Sequence, residues 1–163
     1  MKENSLYDKK SLREITGKNA DWNEVAKDCV AFSNAQGGVI DYGIEDDADV
    51  PPADQKGSED IAINLENKIS GKTLNVSAHA EILTHENGGQ YIRLHIARGT
   101  SSASTTSGKY FTRVSDNSVP LTGDDITRLS AEKGYYRWED EESKWSWKDA
   151  DKEKLKMLLL NLR

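Results

Sequence analysis

Lys109, Phe111 and Arg113 put a cation, an aromatic ring and a second cation at alternate positions of the stretch KYFTRVS. On an extended strand these three share one face, and Tyr110 and Thr112 share the other. Such a face can meet a phosphate backbone with its charges and stack a base on its ring. The competing reading is a strand whose aromatic belongs to the core and whose cations are merely solvated. Arg98 and the small, polar 99–108 loop (GTSSASTTSG) can extend a basic surface of this kind, as can Lys10, Arg13 and Lys18.

Other reactive side chains point less clearly to chemistry. His79, His85 and His95 lack the spacing of zinc ligands, and His79 and His95 fall on expected strands as cross-strand surface residues. Cys29 lies in the apolar stripe of an expected helix and reads as core. A lone cysteine cannot close an internal disulfide, which fits a reducing compartment. The pair Gly37-Gly38 follows a helix, whose C-terminal carbonyls repel anions, so it reads as a cap and a tight turn, with Asn34 orienting it. No set of nucleophile, base and acid can be named.

The elements that must position these residues follow from periodicity. Asp21 and Glu24 open a helix whose apolar residues, Trp22, Val25, Ala26, Cys29, Val30 and Phe32, recur at helical spacing. A first strand is expected over 11–16 (SLREIT) and a second over 39–44 (VIDYGI). An acidic loop with Pro51 and Pro52 leads to Ser58, the N-cap of a second helix that carries Ile61, Leu65 and Ile69 and ends at Gly71. The period then changes to two over Val76, Ala78, Ala80 and Ile82, and again over Ile92, Leu94 and Ile96. Glu86-Asn87-Gly88-Gly89 between them signals a hairpin. A strand over 109–115 and a helix from Thr122 to about Lys133 complete the order β-α-β-α-β-β-β-α, an α+β domain over 1–134.

Residues 135–163 differ in character. Tyr135, Tyr136, Trp138, Trp145 and Trp147 crowd an acidic stretch, and Leu155, Leu158, Leu159 and Leu162 then form one helical stripe. This is expected to be a linker and amphipathic helix leading into a further C-terminal region of the same chain, or a dimerisation helix.

Charge and composition limit the function. Of 163 residues, 36% are hydrophobic and 31% charged, with a net charge of −6. Proteins that live on nucleic acid ordinarily show a basic footprint. Here the charges are segregated. Asp41, Glu45, Asp46, Asp47, Asp49, Asp54, Glu59 and Asp60 face only Lys56 between 41 and 60, whereas 90–115 holds Arg93, Arg98, Lys109 and Arg113 without an acid. No stretch approaches the ~18 apolar residues of a membrane helix. The N-terminus lacks the apolar core of a signal peptide, so a cytoplasmic place away from membranes is expected.

Three pieces, in order, resemble a known family. VAFSNAQGG (30–38) followed by IDYGIEDD (40–47) is similar to the "AFANTxGG…IGVxDDG" segment of the Schlafen AlbA-type domain. Glu14 stands where that family has the glutamate of its "EFK" strand. GKYFTRVS (108–115), Val119-Pro120 and DDITR (124–128) resemble its "GxYYIRVGSxTxPAxxEEI" ending. The resemblance covers roughly residues 9–133. It implies an AlbA-like fold, a DNA- or RNA-binding role in a bacterial transcriptional regulator, a helix-turn-helix or ATPase module following, and often a homodimer.

Family members with ribonuclease activity add a glutamate five positions before the "EFK" glutamate, which here is Lys9. The lysine of "EFK" is Thr16, with Lys18 nearby, and the last glycine of "DDG" is Ala48. Glu14 and Asp46 remain as the metal ligands of a nuclease alternative, which would require Mg²⁺. A lysine puts a positive charge where that ion should sit, so hydrolysis is not expected and no cofactor is assigned. A third reading, favoured by the acidic balance and the leucine stripe, is a protein-interaction or oligomerisation module.

Overall fold

The computed structural model describes residues 3–133. In chain order the elements are β1 (Tyr7–Lys10), α1 (Trp22–Asn34), β2 (Gly38–Tyr42), α2 (Glu59–Lys72), β3 (Thr73–Leu74), β4 (Ala78–Thr84), β5 (Gln90–Ile96), β6 (Ser104–Thr105), β7 (Tyr110–Val114), β8 (Asn117–Leu121) and α3 (Asp124–Lys133). The α+β class expected from the periodicities is the one formed.

Helix α1 organises the domain. Asp21 Oδ1 accepts from the amides of Asn23 and Glu24 at 3.0 and 3.2 Å and so caps its first turn. From Val25 onward nearly every residue is buried, including Asp28, Ser33 and Asn34. A helix buried on all sides must be covered by more than one layer. It packs against β5 and α2, and also against the hairpin of β7 and β8. At its end Gly37 adopts φ +74°, and a Cβ there would meet Arg98 N and Ile96 O at 2.7 Å. The glycine is therefore required by both the turn and the close approach of β5.

The main sheet has the order β1-β2-β5-β4, with β1 parallel to β2 and the other pairs antiparallel. Its register aligns Asp8, Ile40, Leu94 and Ala80 in one row and Lys10, Tyr42, Ile92 and Ile82 in another. These rows form the core face, where Ile40, Tyr42, Ile92 and Leu94 lose all exposure under Val25, Cys29, Phe32, Leu65 and Ile69 of the helices. The two residues that β1 contributes to this face are charged. On the opposite face Asp41, also buried, accepts a bidentate pair from Arg93 at 2.8 Å to each oxygen and a hydrogen bond from the Tyr7 hydroxyl at 3.1 Å.

The first strand forms earlier than its sequence suggests. Residues 11–16 form no strand. Ser11 Oγ accepts from Arg13 N and caps a single 3₁₀ turn, Leu12–Glu14, after which Ile15 is buried. Leu12 and Ile15 are three apart, the period of a turn and not of a strand. The true β1, YDKK, carries no apolar alternation. A strand over 117–121 also forms, with Pro120 opposite Phe111 on the free edge of the hairpin, where a missing N–H is tolerated. Part of the 99–108 stretch is ordered as well, as β6 pairs with β3. The expectations for 135–163 fall outside the described residues. Among the described residues no helix is long and apolar enough to cross a membrane.

Candidate nucleic-acid interface

A groove of about 360 Å³ runs between the first turns of α1, the end of α2 and the start of β7. Helix α1 lends Asn23, Glu24, Ala26 and Lys27, α2 lends Lys72, and the turn after β6 lends Thr105, Thr106 and Ser107. Lys109 and Phe111 complete the lining. Three ammonium groups thus share one concavity with a single carboxylate. Lys27 pairs with Glu24, and Lys72 Nζ donates to Asn23 Oδ1 at 3.0 Å. Lys109 is exposed, and no carboxylate among the described residues pairs with it.

The groove is braced from within. Asn34 Nδ2 donates to the carbonyls of Ala103 and Phe111, each at 2.8 Å, while its Oδ1 accepts from Ala103 N at 2.7 Å. One buried amide of α1 therefore holds the backbone of β7 and that of the residue just before β6. Thr106 N donates to Lys72 O at 2.9 Å, and Thr105 Oγ1 accepts from Lys109 N at 3.1 Å, which fixes the turn to α2 and to β7. Gly108 supplies the left-handed residue of that turn, φ +78°.

Phe111 and Arg113 share a face of β7, with Lys109 just ahead of the strand, but that face is turned toward α1. Exposure falls along it, from open Lys109 through half-buried Phe111 to buried Arg113. The Arg113 guanidinium stacks 4.5 Å above the Phe32 ring and stands 3.0 Å from Asp8 Oδ2. In this position it presents no charge to a phosphate in solvent. Lys10 joins the same cluster, 3.8 Å from Asp8 and 3.7 Å from Asp28, and Ser118 Oγ donates to Asp28 at 2.7 Å. Burial pushes the Asp8 carboxyl above its ordinary value, against the pull of Lys10 and Arg113. Burial also works against the charge on Lys10, but Asp28 and Asp8 outweigh it and hold that ammonium above the usual lysine value.

The remaining cations are scattered. Arg13 is exposed and pairs with Glu45 at 3.2 Å. Lys18 is exposed on a short 3₁₀ turn. Arg98 lines a separate shallow pocket with Ser77 and 99–101. Of the seven cationic and aromatic positions the sequence pointed to, the structure brings Lys109 and Phe111 into the groove, and Lys10 and Arg113 into the buried cluster. Lys27 and Lys72 were not legible, because only the fold brings positions 27, 72 and 109 together.

The acids form a different surface. Glu3, Asp46, Asp47, Asp49 and Asp116 line a cleft of about 430 Å³ around Lys9. The Lys9 ammonium donates to the carbonyls of Asp46 and Ala48, both at 2.6 Å. Burial raises the Glu14 pKa against the pull of Lys10, with Asp28, Asp46 and Asp8 adding to the rise. Among the described residues no three His, Cys, Asp or Glu side chains gather to hold a metal ion. Glu14 is not part of this cleft's lining, and the Lys9 ammonium sits against the backbone carbonyls beside the Asp46 carboxylate.

A mixed four-stranded sheet covered by two helices, with a hairpin on the far side of α1, defines an α+β domain of AlbA type. The model of the family Schlafen, AlbA_2 matches residues 3–122, and the chain belongs to that family, one of nucleic-acid-related domains. The fold is similar to that of the DIP2311 protein from Corynebacterium diphtheriae, with a TM-score of 0.55 and 19% identity. That likeness covers 72% of this chain and 25% of the other, so the chain spans about a quarter of that protein's length. No curated protein matches the sequence significantly.

Proposed function

We propose that this chain is the nucleic-acid-binding domain of a bacterial transcriptional regulator, acting on DNA or RNA in the cytoplasm without chemistry of its own in the described residues. The observation that carries the reading is the convergence of Lys27, Lys72 and Lys109 on one groove beside Phe111, in a chain whose net charge is −6. Phosphate contacts supply most of the affinity of such proteins, and local charge matters more to them than the average. Family membership supports the same role. In this proposal residues 135–163 connect to a further C-terminal region of the same chain or, as the alternative, form a dimerisation helix.

The test is fluorescence polarisation of labelled duplex DNA, single-stranded DNA and RNA across a salt series. Wild-type affinity is expected to fall steeply with salt. A variant with Lys27, Lys72 and Lys109 all changed to Ala is expected to bind weakly and with a slope shallower by roughly 2 to 3, about one per lost phosphate contact. Absence of binding at low salt, or an unchanged slope in the triple variant, overturns the reading and favours a protein-interaction module.

A further inference from the structure

Beyond its charge, the groove has a size and a chemistry. Its volume of about 360 Å³ stands near the lower end of small-ligand pockets, ~300–1,000 Å³. A duplex is far too wide to enter such a space, and it offers only the edges of its bases, whose faces are buried in the stack. The groove offers something that needs a face: Phe111, half-buried and held by its own carbonyl through Asn34. The same lining holds the exposed Ser107, whose hydroxyl also meets Thr105 Oγ1 at 2.9 Å and is suited to the edge of a base or to a sugar, and Lys109 and Lys72, suited to a phosphate.

We propose that this groove takes one unpaired nucleotide of a single-stranded or locally opened nucleic acid, its base against Phe111 and its phosphate against Lys72 and Lys109. The inference rests on the nucleic-acid reading above and narrows it. Base–aromatic stacking is tolerant of sequence because every base has a π-face, so a preference for unpaired strands and not for one base is the expected signature. The bracing of 103 and 111 by Asn34 holds the backbone that carries the ring before any ligand arrives, which lowers the ordering cost of binding.

The experiment compares a labelled single-stranded oligonucleotide, as DNA and as RNA, with a hairpin duplex of equal phosphate number, using the full chain. Wild type is expected to favour the single strand about tenfold or more. Phe111→Leu is expected to lose most of that preference while keeping its duplex affinity, Phe111→Trp to retain it, and Lys109→Ala to weaken both ligands together. Equal affinity for both ligands in wild type, or a preference unchanged in Phe111→Leu, overturns the inference and leaves the nucleic-acid reading standing. Failure to bind either ligand at low salt overturns both. Should Phe111→Leu not fold, photocrosslinking of a 5-iodouracil single strand to the wild-type chain decides the matter. Crosslinks on the 109–113 peptide support the inference, and crosslinks confined elsewhere overturn it.

Discussion

The Arg113 guanidinium stands 3.0 Å from the Asp8 carboxylate, and the two side chains are only 2% and 6% exposed. The pair joins β7 to the edge strand β1 through a site where Asp28, Lys10 and Ser118 also meet. Its N–H groups are not aligned for a hydrogen bond to Asp8, so the attraction is Coulombic, in surroundings of low dielectric. Removing one partner leaves the other charge buried and unpaired. Arg113→Ala is therefore expected to cost about 3–5 kcal/mol in urea denaturation, and Arg113→Met together with Asp8→Leu considerably less. Any loss of nucleic-acid binding in Arg113→Ala should track unfolded protein, whereas loss in Lys109→Ala should occur in a protein that melts normally.

Asn34 makes a second structural prediction. Its amide serves Ala103 N, Ala103 O and Phe111 O, all within 2.8 Å, at a residue buried in the core of α1. Asn34→Ala leaves these backbone groups without that partner and is expected to cost about 2–4 kcal/mol by thermal or urea unfolding. Asn34→Asp should do no better. It keeps the acceptor for Ala103 N but turns a carboxylate oxygen toward two carbonyls.

Glu24 is the one carboxylate lining the groove, and it holds Lys27. Glu24→Gln frees that ammonium and removes a charge that repels phosphate. Affinity for a single-stranded oligonucleotide is expected to rise about twofold to fivefold at low salt, with the gain vanishing near 0.5 M salt. A decrease would show that Glu24 positions Lys27 for binding.

Lys133, in the last turn of α3, donates to the Ser33 carbonyl at the end of α1. Burial, with Arg98 adding to it, lowers its pKa to about 8. The folded state therefore gives up this proton before the unfolded state does. Between about pH 8 and the ordinary lysine value the unfolded chain binds more protons, so the contribution of Lys133 to stability should rise with pH across that window. Comparing denaturation of wild type and Lys133→Gln at pH 7 and pH 9.5 isolates it. The difference between the two proteins should shift toward wild type at the higher pH. An NMR titration of the Lys133 ammonium gives the value directly.

Much of the architecture was written in local pattern. The helical spacing from Trp22 to Phe32, the Ser58 cap, and the alternation around the Asn87-Gly88 turn each specify an element from neighbours alone, because propensity and periodicity act over a few residues. β1 escaped because its inward residues are Asp8 and Lys10. A charged pair reads as surface until its partners Asp28 and Arg113 are known, and these lie far along the chain. β8 escaped because Pro120 reads as a break unless the strand is known to be an edge.

Local pattern is enough to set the α+β order, the core stripes, and the alternation that groups Lys109, Phe111 and Arg113, since a strand alternates whatever it packs against. Which way that face looks depends on the packing of elements far apart in the chain. Packed against α1, it sinks Arg113 onto Phe32 and Asp8 and leaves Lys109 at the open end. The same packing brings Lys27 and Lys72 to Lys109 from separate helices. Periodicity fixes a side chain's direction relative to its own element, whereas burial and charge neighbourhood belong to pairs of elements distant in sequence.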